Sequence, residues 1–189
     1  MSDGRITLYV AASVDGFIAA EDGSVAWLDE FERGGRDGEE AGSYDEFIAS
    51  VDCLVMGATT YEQVLDFGDW PYSQKPTYVV TSRDLPRAND AVELFAGDVG
   101  DLAERLRGEY DHTWVVGGAQ LAQSFLRTDQ IDRLRLNLVP VLLGDGIRLF
   151  GDGGVRKHLE RRETTAYDSG IVELQYEVGY RASAEQDAG

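Results

Sequence analysis

The chain has 189 residues, a mean hydropathy of −0.29 and a formal net charge of −18 at neutral pH. Its length and its 43% of hydrophobic residues suit one domain with a sizeable core, and no apolar run approaches the ~20 residues that cross a membrane. So acidic a surface repels nucleic acid and anionic membranes, and the first residues lack a signal-peptide pattern, so we expect a cytoplasmic protein with neither partner.

The basic residues are unevenly divided between arginine and lysine. The chain has 15 arginines but only two lysines, Lys75 and Lys157, against 35 acidic residues. Salt screens the mutual repulsion of acidic groups, so this balance is typical of a protein that works in high salt. A halophilic source is our hypothesis, and an acidic protein from a mesophile is the alternative.

Strands and helices alternate along the first two thirds of the chain. Strand-like apolar runs cover 6–12, 52–57, 76–81, 91–95 and 113–118. The segments between them have helical spacing, as where Tyr44, Phe47, Ile48 and Val51 recur at i, i+3, i+4 and i+7. This alternation predicts an α/β fold, with a mostly parallel sheet between two layers of helices in a three-layer sandwich.

The last third of the chain has a different pattern. A long strand is predicted over 133–143, and two further strands over 161–167 and 171–180 are joined by a turn sequence typical of an antiparallel hairpin, Asp168-Ser169-Gly170. We therefore expect a mixed sheet that ends antiparallel, within a single domain over 1–181. Residues 182–189 are small and polar, and we expect them to form a disordered tail.

Three of the predicted strands end in residues suited to binding phosphate. The second ends in MGATTYEQ, the third in TSRD and the fifth in VVGGAQLAQ. Gly57 and the pair Gly117-Gly118 precede helices, whose free N–H groups and dipole favour an anion, and Arg83 adds a guanidinium fork for phosphate or carboxylate. In a parallel sheet these strand ends lie at one edge, where ligands bind. The alternative for the glycine pair is a tight strand-to-helix turn.

Other residue types give little indication of a catalytic centre. The GxGxxG spacing of Rossmann dehydrogenases does not occur in the sequence. Cys53 lies in an apolar run and is interpreted as a small buried side chain. His112 and His158 occur in polar stretches without partners at metal-ligand spacing, so we interpret both as solvated surface residues and expect no metal.

Joined to the first strand, these segments resemble the dihydrofolate reductase superfamily, most closely the branch that contains the C-terminal reductase domain of the bifunctional riboflavin-biosynthesis protein. The resemblance runs from about Ile6 to Tyr180 and rests on four motifs in order: S-x-D-G-F-I at 13–18, M-G-x-x-T-Y at 56–61, V-V-G-G at 115–118 and V-P-V-L-L-G-D-G at 139–146. It implies an eight-stranded mixed sheet and an NADPH-dependent reductase. Such an enzyme transfers a hydride from the nicotinamide to a carbonyl or imine carbon of a small heterocyclic substrate.

The resemblance also assigns residues to the cofactor, around its nicotinamide, its phosphates and its adenosine 2′-phosphate. The cofactor-binding residues that it implies are Ala12, Gly16, Ile18, Gly57, Thr59, Thr60, Thr81, Ser82, Arg83, Gly117, Gly118, Ala119, Gln120, Leu121 and Ser124. It further implies a cis peptide bond between the paired glycines.

Two departures from the family pattern bear on the cofactor and the substrate. The family usually has arginine after M-G, where it grips the 2′-phosphate, and this chain has Ala58, so NADH is an alternative to NADPH. Dihydrofolate reductases carry an acidic residue four positions before a helix phenylalanine, and the residue four before Phe47 is Ser43. We therefore expect a reaction that resembles that of 5-amino-6-(5-phosphoribosylamino)uracil reductase.

Further candidates are catalytic and substrate-binding residues. The candidate catalytic residues are Asp45 and Asp15, and the candidate substrate-binding residues are Trp27, Tyr44, Phe47, Ile48 and Asp145. Structural roles are the alternatives for all of these except Asp45. Asp15 and Asp145 lie next to glycine and suit turns, Trp27 suits a core or a lid, and the helix residues Tyr44, Phe47 and Ile48 suit a core.

Two other functions are alternatives to a riboflavin-type reductase. One is a reductase of dihydrofolate, another pterin or an unassigned metabolite. The other is a nucleotide-binding module without turnover, which Ala58 and the missing acidic residue favour. The resemblance also implies a homodimer, for which the late strands are the expected interface.

Overall fold

Strands and helices alternate within residues 4–29, 31, 39–72, 75–151 and 155–179, which the computed structural model describes. The strands are β1 (Arg5–Ser13), β2 (Phe17–Ala19), β3 (Cys53–Gly57), β4 (Thr77–Val80), β5 (Val92–Phe95), β6 (His112–Gly117), β7 (Arg133–Val139), β8 (Ile147–Arg148), β9 (His158–Ala166) and β10 (Val172–Gly179). The helices are α1 (Glu39–Ser50), α2 (Ala58–Asp66), α3 (Val99–Glu109) and α4 (Ala119–Arg127), and a 3₁₀ turn covers Ala26–Leu28. The tail predicted over 182–189 lies outside the described residues.

The main sheet has eight strands in the order β5-β4-β3-β6-β1-β7-β10-β9. Neighbouring strands from β5 to β7 are all parallel, whereas β10 is antiparallel to both β7 and β9. The β9–β10 hairpin closes with the Tyr167 N–H donating to the Ile171 carbonyl at 2.9 Å. The structure thus confirms the predicted mostly parallel, eight-stranded mixed sheet that ends antiparallel.

Helices cover both faces of this sheet and complete the predicted three layers. Phe47 of α1 and Tyr61 of α2 pack with Met56 of β3 in one apolar cluster. Leu106 of α3 and Phe125 of α4 belong to a second cluster on the opposite face. Both helix pairs have apolar residues at helical spacing, so each buries one stripe against the sheet and leaves its polar side in water.

The small strands β2 and β8 were not predicted, and β7 is shorter than predicted. β2 and β8 pair in a separate two-stranded sheet, and they have only three and two residues, too few for a periodic pattern. β7 ends at Val139 instead of continuing to 143. Pro140 follows it, and proline has no N–H to donate to a neighbouring strand.

The prediction of a solvated His112 is wrong. Its side chain is only 6% exposed, with Nε2 2.9 Å from Thr7 Oγ1 and Nδ1 3.1 Å from the Ser50 carbonyl oxygen. Burial lowers its pKa to about 4, so the ring is neutral at physiological pH. The polar residues around it in the sequence suggested a surface strand, but α1 covers this end of β6. His158, in contrast, is exposed as predicted.

Candidate active site

A cleft of about 1140 Å³ opens where the parallel strands β3, β4 and β6 end, and β1 and β7 form its floor. Small-molecule pockets usually measure ~300–1,000 Å³, so this cleft has room for a dinucleotide and a small second ligand. Its position agrees with the rule that open α/β sheets bind ligands beyond the carboxyl ends of their strands. Its two ends differ in character, one glycine-rich and the other aromatic.

The glycine-rich end is formed by the turns from β3 into α2 and from β6 into α4. Gly117 has a φ of +133°, a conformation that side-chain-bearing residues rarely adopt, and its peptide bond to Gly118 is cis, as the resemblance implied. A Cβ on Gly118 would lie 3.3 Å from Thr60 Oγ1, and one on Gly57 would lie 3.7 Å from the Gly118 nitrogen. A side chain at Gly118 would therefore press on Thr60, whereas one at Gly57 would make an ordinary van der Waals contact with the neighbouring turn.

Both helices at this end begin without a capping side chain. The N-cap residues Gly57 and Gly118 offer no side-chain acceptor, and neither helix has an acidic residue in its first turn. Helix α3 shows the opposite arrangement, since Asp98 accepts from the Gly100 N–H and Asp101 lies in the first turn. In a chain with 35 acidic residues, two helix starts free of acids at one cleft are suited to bind phosphate oxygens.

The aromatic end contains Tyr9, Tyr44, Tyr72 and Trp114. The Trp114 ring centroid lies 5.7 Å from that of Tyr72 and 6.2 Å from that of Tyr44, in edge-to-face arrangements. The Trp114 Nε1–H donates to the Tyr9 carbonyl oxygen at 3.0 Å, which fixes the indole against β1. Such a wall of rings offers flat apolar surface to a planar heterocycle.

Asp15 holds the loop after β1 against the segment after β7. Its Oδ1 accepts from Ser13 Oγ at 2.6 Å and from the Leu143 N–H at 3.1 Å, and its Oδ2 accepts from the Gly144 N–H at 2.7 Å. The hydrogen bond from Ser13 lowers the Asp15 pKa to about 2, with further contributions from the backbone N–H groups. Asp15 does not line the cleft. This geometry favours the structural role over the catalytic one.

Arg83 lies outside the cleft and is engaged in an ion pair. Its Nη1 and Nη2 donate to the two carboxylate oxygens of Glu62 at 3.1 and 2.7 Å, and both side chains are about half exposed. Glu62 belongs to α2, the helix whose start lines the cleft. The predicted phosphate-binding guanidinium is therefore neutralised by the Glu62 carboxylate, which lies 21 positions away in the sequence.

The cleft brings together about half of the predicted site residues. Those that line it are Ile18, Tyr44, Gly57, Thr59, Thr60, Gly117, Gly118, Ala119, Gln120, Leu121 and Ser124. Those that do not line it are Ala12, Asp15, Gly16, Trp27, Asp45, Phe47, Ile48, Thr81, Ser82, Arg83 and Asp145. Of the second group, Phe47 is a core residue, whereas Asp45 and Asp145 are exposed.

Several cleft residues were missed. Tyr9 and Asn137 lie on the floor, Tyr72 lies in the aromatic wall, and Gln63 donates from Nε2 to the Gly23 carbonyl oxygen, which ties the loop after β2 to α2. For Asn137 a signal did exist. An amide in the apolar stretch LNLVPVLL is unusual for a buried strand and could have been singled out.

Two negative findings apply to the described ranges. Over those residues, no helix is both long and apolar enough to cross a membrane. Nor, within the same ranges, do three or more histidine, cysteine, aspartate or glutamate side chains converge as metal ligands would.

Comparison with known proteins agrees with the fold. YwjB of Bacillus subtilis (strain 168), an uncharacterized protein, is 35% identical over 174 residues, covering 91% of this chain and 97% of YwjB. The crystal structure of a putative riboflavin biosynthesis protein from Shewanella sp. PV-4 superposes with a TM-score of 0.82 at 28% identity, over 93% of this chain and 99% of that one.

The likeness also extends to dihydrofolate reductase at the level of the fold. The Enterococcus faecalis enzyme, complexed with NADP(H) and RAB-propyl, superposes with a TM-score of 0.65 at 16% identity, over 94% of this chain and 98% of that one. The RibD C-terminal domain model matches residues 5–173, nearly the whole chain. The chain therefore belongs to the RibD C-terminal domain family.

Proposed function

We propose that the protein is an NAD(P)H-dependent reductase of a small heterocyclic substrate, with a reaction resembling that of 5-amino-6-(5-phosphoribosylamino)uracil reductase in riboflavin biosynthesis. The observation that carries the proposal is the pair of uncapped helix starts at Gly57 and Gly118, which meet at one cleft beside an aromatic wall. Family membership supports it, since the family is named after the C-terminal domain of RibD, a riboflavin biosynthesis protein.

The residues at the glycine-rich end fit a dinucleotide. The first-turn N–H groups of α2 and α4, with the hydroxyls of Thr59 and Thr60, would hold its phosphates, and Gly118 leaves room where a Cβ would press on Thr60. When bound, the reduced nicotinamide would supply a hydride. The chain itself would bind and orient both ligands, and the Gln63–Gly23 contact would hold the loop that excludes water.

The aromatic end suits a heterocycle other than a pterin. At the helix position where dihydrofolate reductases carry an acid, Ser43 accepts from Arg135 through its hydroxyl oxygen. Arg135 also forms an ion pair with Glu173 at 2.9 Å, largely buried on both sides. Ser43 does not line the cleft, so this helix position offers a cleft-bound pterin neither a carboxylate nor a free hydroxyl, which favours the riboflavin-type substrate over dihydrofolate.

The experiment is a turnover assay with two substrates. The purified protein, with NADPH or NADH, receives 5-amino-6-(5-phosphoribosylamino)uracil in one reaction and dihydrofolate in another, and mass spectrometry follows both products. We expect the uracil derivative to gain the mass of a hydride and a proton while the cofactor is oxidised. Faster reduction of dihydrofolate would assign the pterin alternative, and cofactor binding without oxidation in either reaction would assign the non-catalytic module.

A further inference from the structure

Asn137 combines a hydrogen bond and an unsatisfied group at the floor of the cleft. It lies on β7 opposite Ala11 of β1, and its Nδ2 donates to the Tyr9 hydroxyl oxygen at 3.1 Å. Its Oδ1 is buried and has no hydrogen-bond partner among the described residues. Both Asn137 and Tyr9 line the cleft.

This orphaned oxygen is distinct from the other unsatisfied atoms. The remaining buried side-chain atoms without a partner in the described ranges are nitrogens of Arg5, Trp27, Trp70 and Arg135, and none of those residues lines the cleft. A buried polar group left unpaired is destabilising, so a ligand that supplies the missing partner binds more tightly for it. The amide of Asn137 therefore indicates where a polar ligand group belongs.

Tyr9 and Asn137 together present one donor and one acceptor. In the orientation described above, the tyrosine hydroxyl keeps its own proton to donate and Oδ1 is free to accept. If the amide turns over, the tyrosine donates to Oδ1, its oxygen keeps a lone pair, and Nδ2 becomes the free donor. Both orientations match a ligand with an N–H next to a C=O, which is the edge of a lactam or a carboxamide.

The Tyr9 ring packs against a charged network formed by Arg135 and Glu173. The Arg135 guanidinium lies 4.7 Å from the centre of the Tyr9 ring and 5.1 Å from that of Phe47, and it is fixed by its ion pair with Glu173. Burial raises the Tyr9 pKa to about 12, so its hydroxyl is protonated and able to donate at neutral pH. The packing on Arg135 keeps the Tyr9 ring in place before any ligand arrives.

We propose that Tyr9 and Asn137 are the specificity-determining pair for the substrate ring, and that they bind a lactam edge of a planar heterocycle placed against Trp114 and Tyr72. The inference rests on the proposed function, because it gives the aromatic end of the cleft to the substrate and the glycine-rich end to the cofactor. It adds the chemical group by which the substrate is recognised.

The test uses two probes that differ only at the lactam edge, uracil and 1,3-dimethyluracil. Their binding to the protein saturated with NADPH is measured by saturation-transfer NMR, for the wild type, Asn137→Leu, Tyr9→Phe and the control Thr164→Val, which changes an exposed β9 residue. We expect uracil to bind the wild type about tenfold more tightly than 1,3-dimethyluracil, the value of one lost hydrogen bond to a buried group. Asn137→Leu and Tyr9→Phe should reduce this ratio towards one, and Thr164→Val should keep it.

The cofactor titration on the same variants separates this inference from the proposed function. Asn137→Leu and Tyr9→Phe should bind NADPH as the wild type does, because neither residue belongs to the glycine-rich end. The inference would be overturned if the wild type bound the two probes equally or did not bind uracil. NADPH binding by the same protein would in that case still support the proposed function. Since that comparison needs no variant, it stands even if Asn137→Leu fails to fold. Loss of NADPH binding in the variants would also overturn it, because the pair would then serve the cofactor's carboxamide.

Discussion

His112 makes the stability of the fold depend on pH. Its folded pKa of about 4 lies below the ordinary value of 6.5, so below pH 6.5 the unfolded chain takes up a proton that the folded chain excludes. The contribution of His112 to the free energy of unfolding is fully present above pH 6.5. As the pH falls towards 4, the free energy of unfolding decreases by ~3 kcal/mol. Denaturant unfolding between pH 7 and 4 should show this loss in the wild type.

The matched variants are His112→Asn and His158→Asn. The first removes the buried imidazole and should weaken the pH dependence in this interval, and the second changes the exposed histidine and should leave it as in the wild type. An unchanged pH dependence in His112→Asn would show that His112 titrates at its ordinary pKa in the fold.

Glu62 is expected to set the choice between NADPH and NADH. It pairs with Arg83, the guanidinium that the family resemblance places near the 2′-phosphate, and Ala58 supplies no second one. Glu62→Gln should free Arg83 and raise the affinity for NADPH relative to NADH by roughly fivefold, the scale of an exposed ion pair. Fluorescence titrations measure the ratio, with Glu104→Gln on the exposed side of α3 as a control of equal charge. The same ratio in both variants would contradict this role for Glu62.

The glycines of the candidate site could be predicted from the sequence, whereas the partners of Arg83 and Asn137 could not. Glycines before helices carry a local signal, and the structure places Gly57, Gly117 and Gly118 in the cleft. The partners of Arg83 and Asn137 come from other elements: Glu62 lies 21 positions from Arg83, and Tyr9 lies 128 from Asn137. No local pattern encodes such pairs, so the ion pair and the orphaned amide became visible only in three dimensions.

At the scale of elements, the turn from β6 into α4 is the most sensitive to substitution. Gly117→Ala places a side chain at a φ of +133° and should destabilise the fold by ~1–3 kcal/mol, with weaker cofactor binding. Gly108→Ala is the control. Gly108 lies within α3 with nothing within 4 Å of a new Cβ, so alanine there should stabilise by ~0.5–1 kcal/mol. Denaturant unfolding of both variants checks the contrast, and equal effects of the two substitutions would contradict it.

The sequence predicted the elements whose apolar residues recur with a clear helical or strand period. It did not predict the end of β7, which proline determines, or the short strands β2 and β8, which depend on pairing between distant segments. Helix α4 begins and ends as the apolar spacing of AQLAQSFLR indicates. β7 stops before Pro140, although the apolar run continues to Leu143. β2 and β8 pair beside a contact in which Asp15 accepts hydrogen bonds from the backbone at 143 and 144. That contact joins two motifs 128 residues apart, beyond the reach of local spacing.

At the scale of the whole molecule, the net charge of −18 predicts a strong response to salt. Screening by KCl should relieve repulsion among 35 acidic groups, so Tm should rise steeply from low to molar concentration. Thermal unfolding followed by circular dichroism measures this directly. A flat response would contradict the halophilic hypothesis and favour an acidic mesophile. The homodimer also stays a prediction, which sedimentation at several protein concentrations tests.

The central claim is that the cleft binds a reduced nicotinamide dinucleotide at its glycine-rich end. The most direct measurement is a titration of the protein in molar KCl with NADPH and with NADH, following tryptophan fluorescence. Of the three tryptophans, Trp114 lines the cleft. We expect saturable quenching by at least one of the two, with weaker cofactor binding in Gly117→Ala but not in Gly108→Ala. Quenching by neither cofactor would contradict the account, and the two uncapped helix starts would then be no more than strand-to-helix turns.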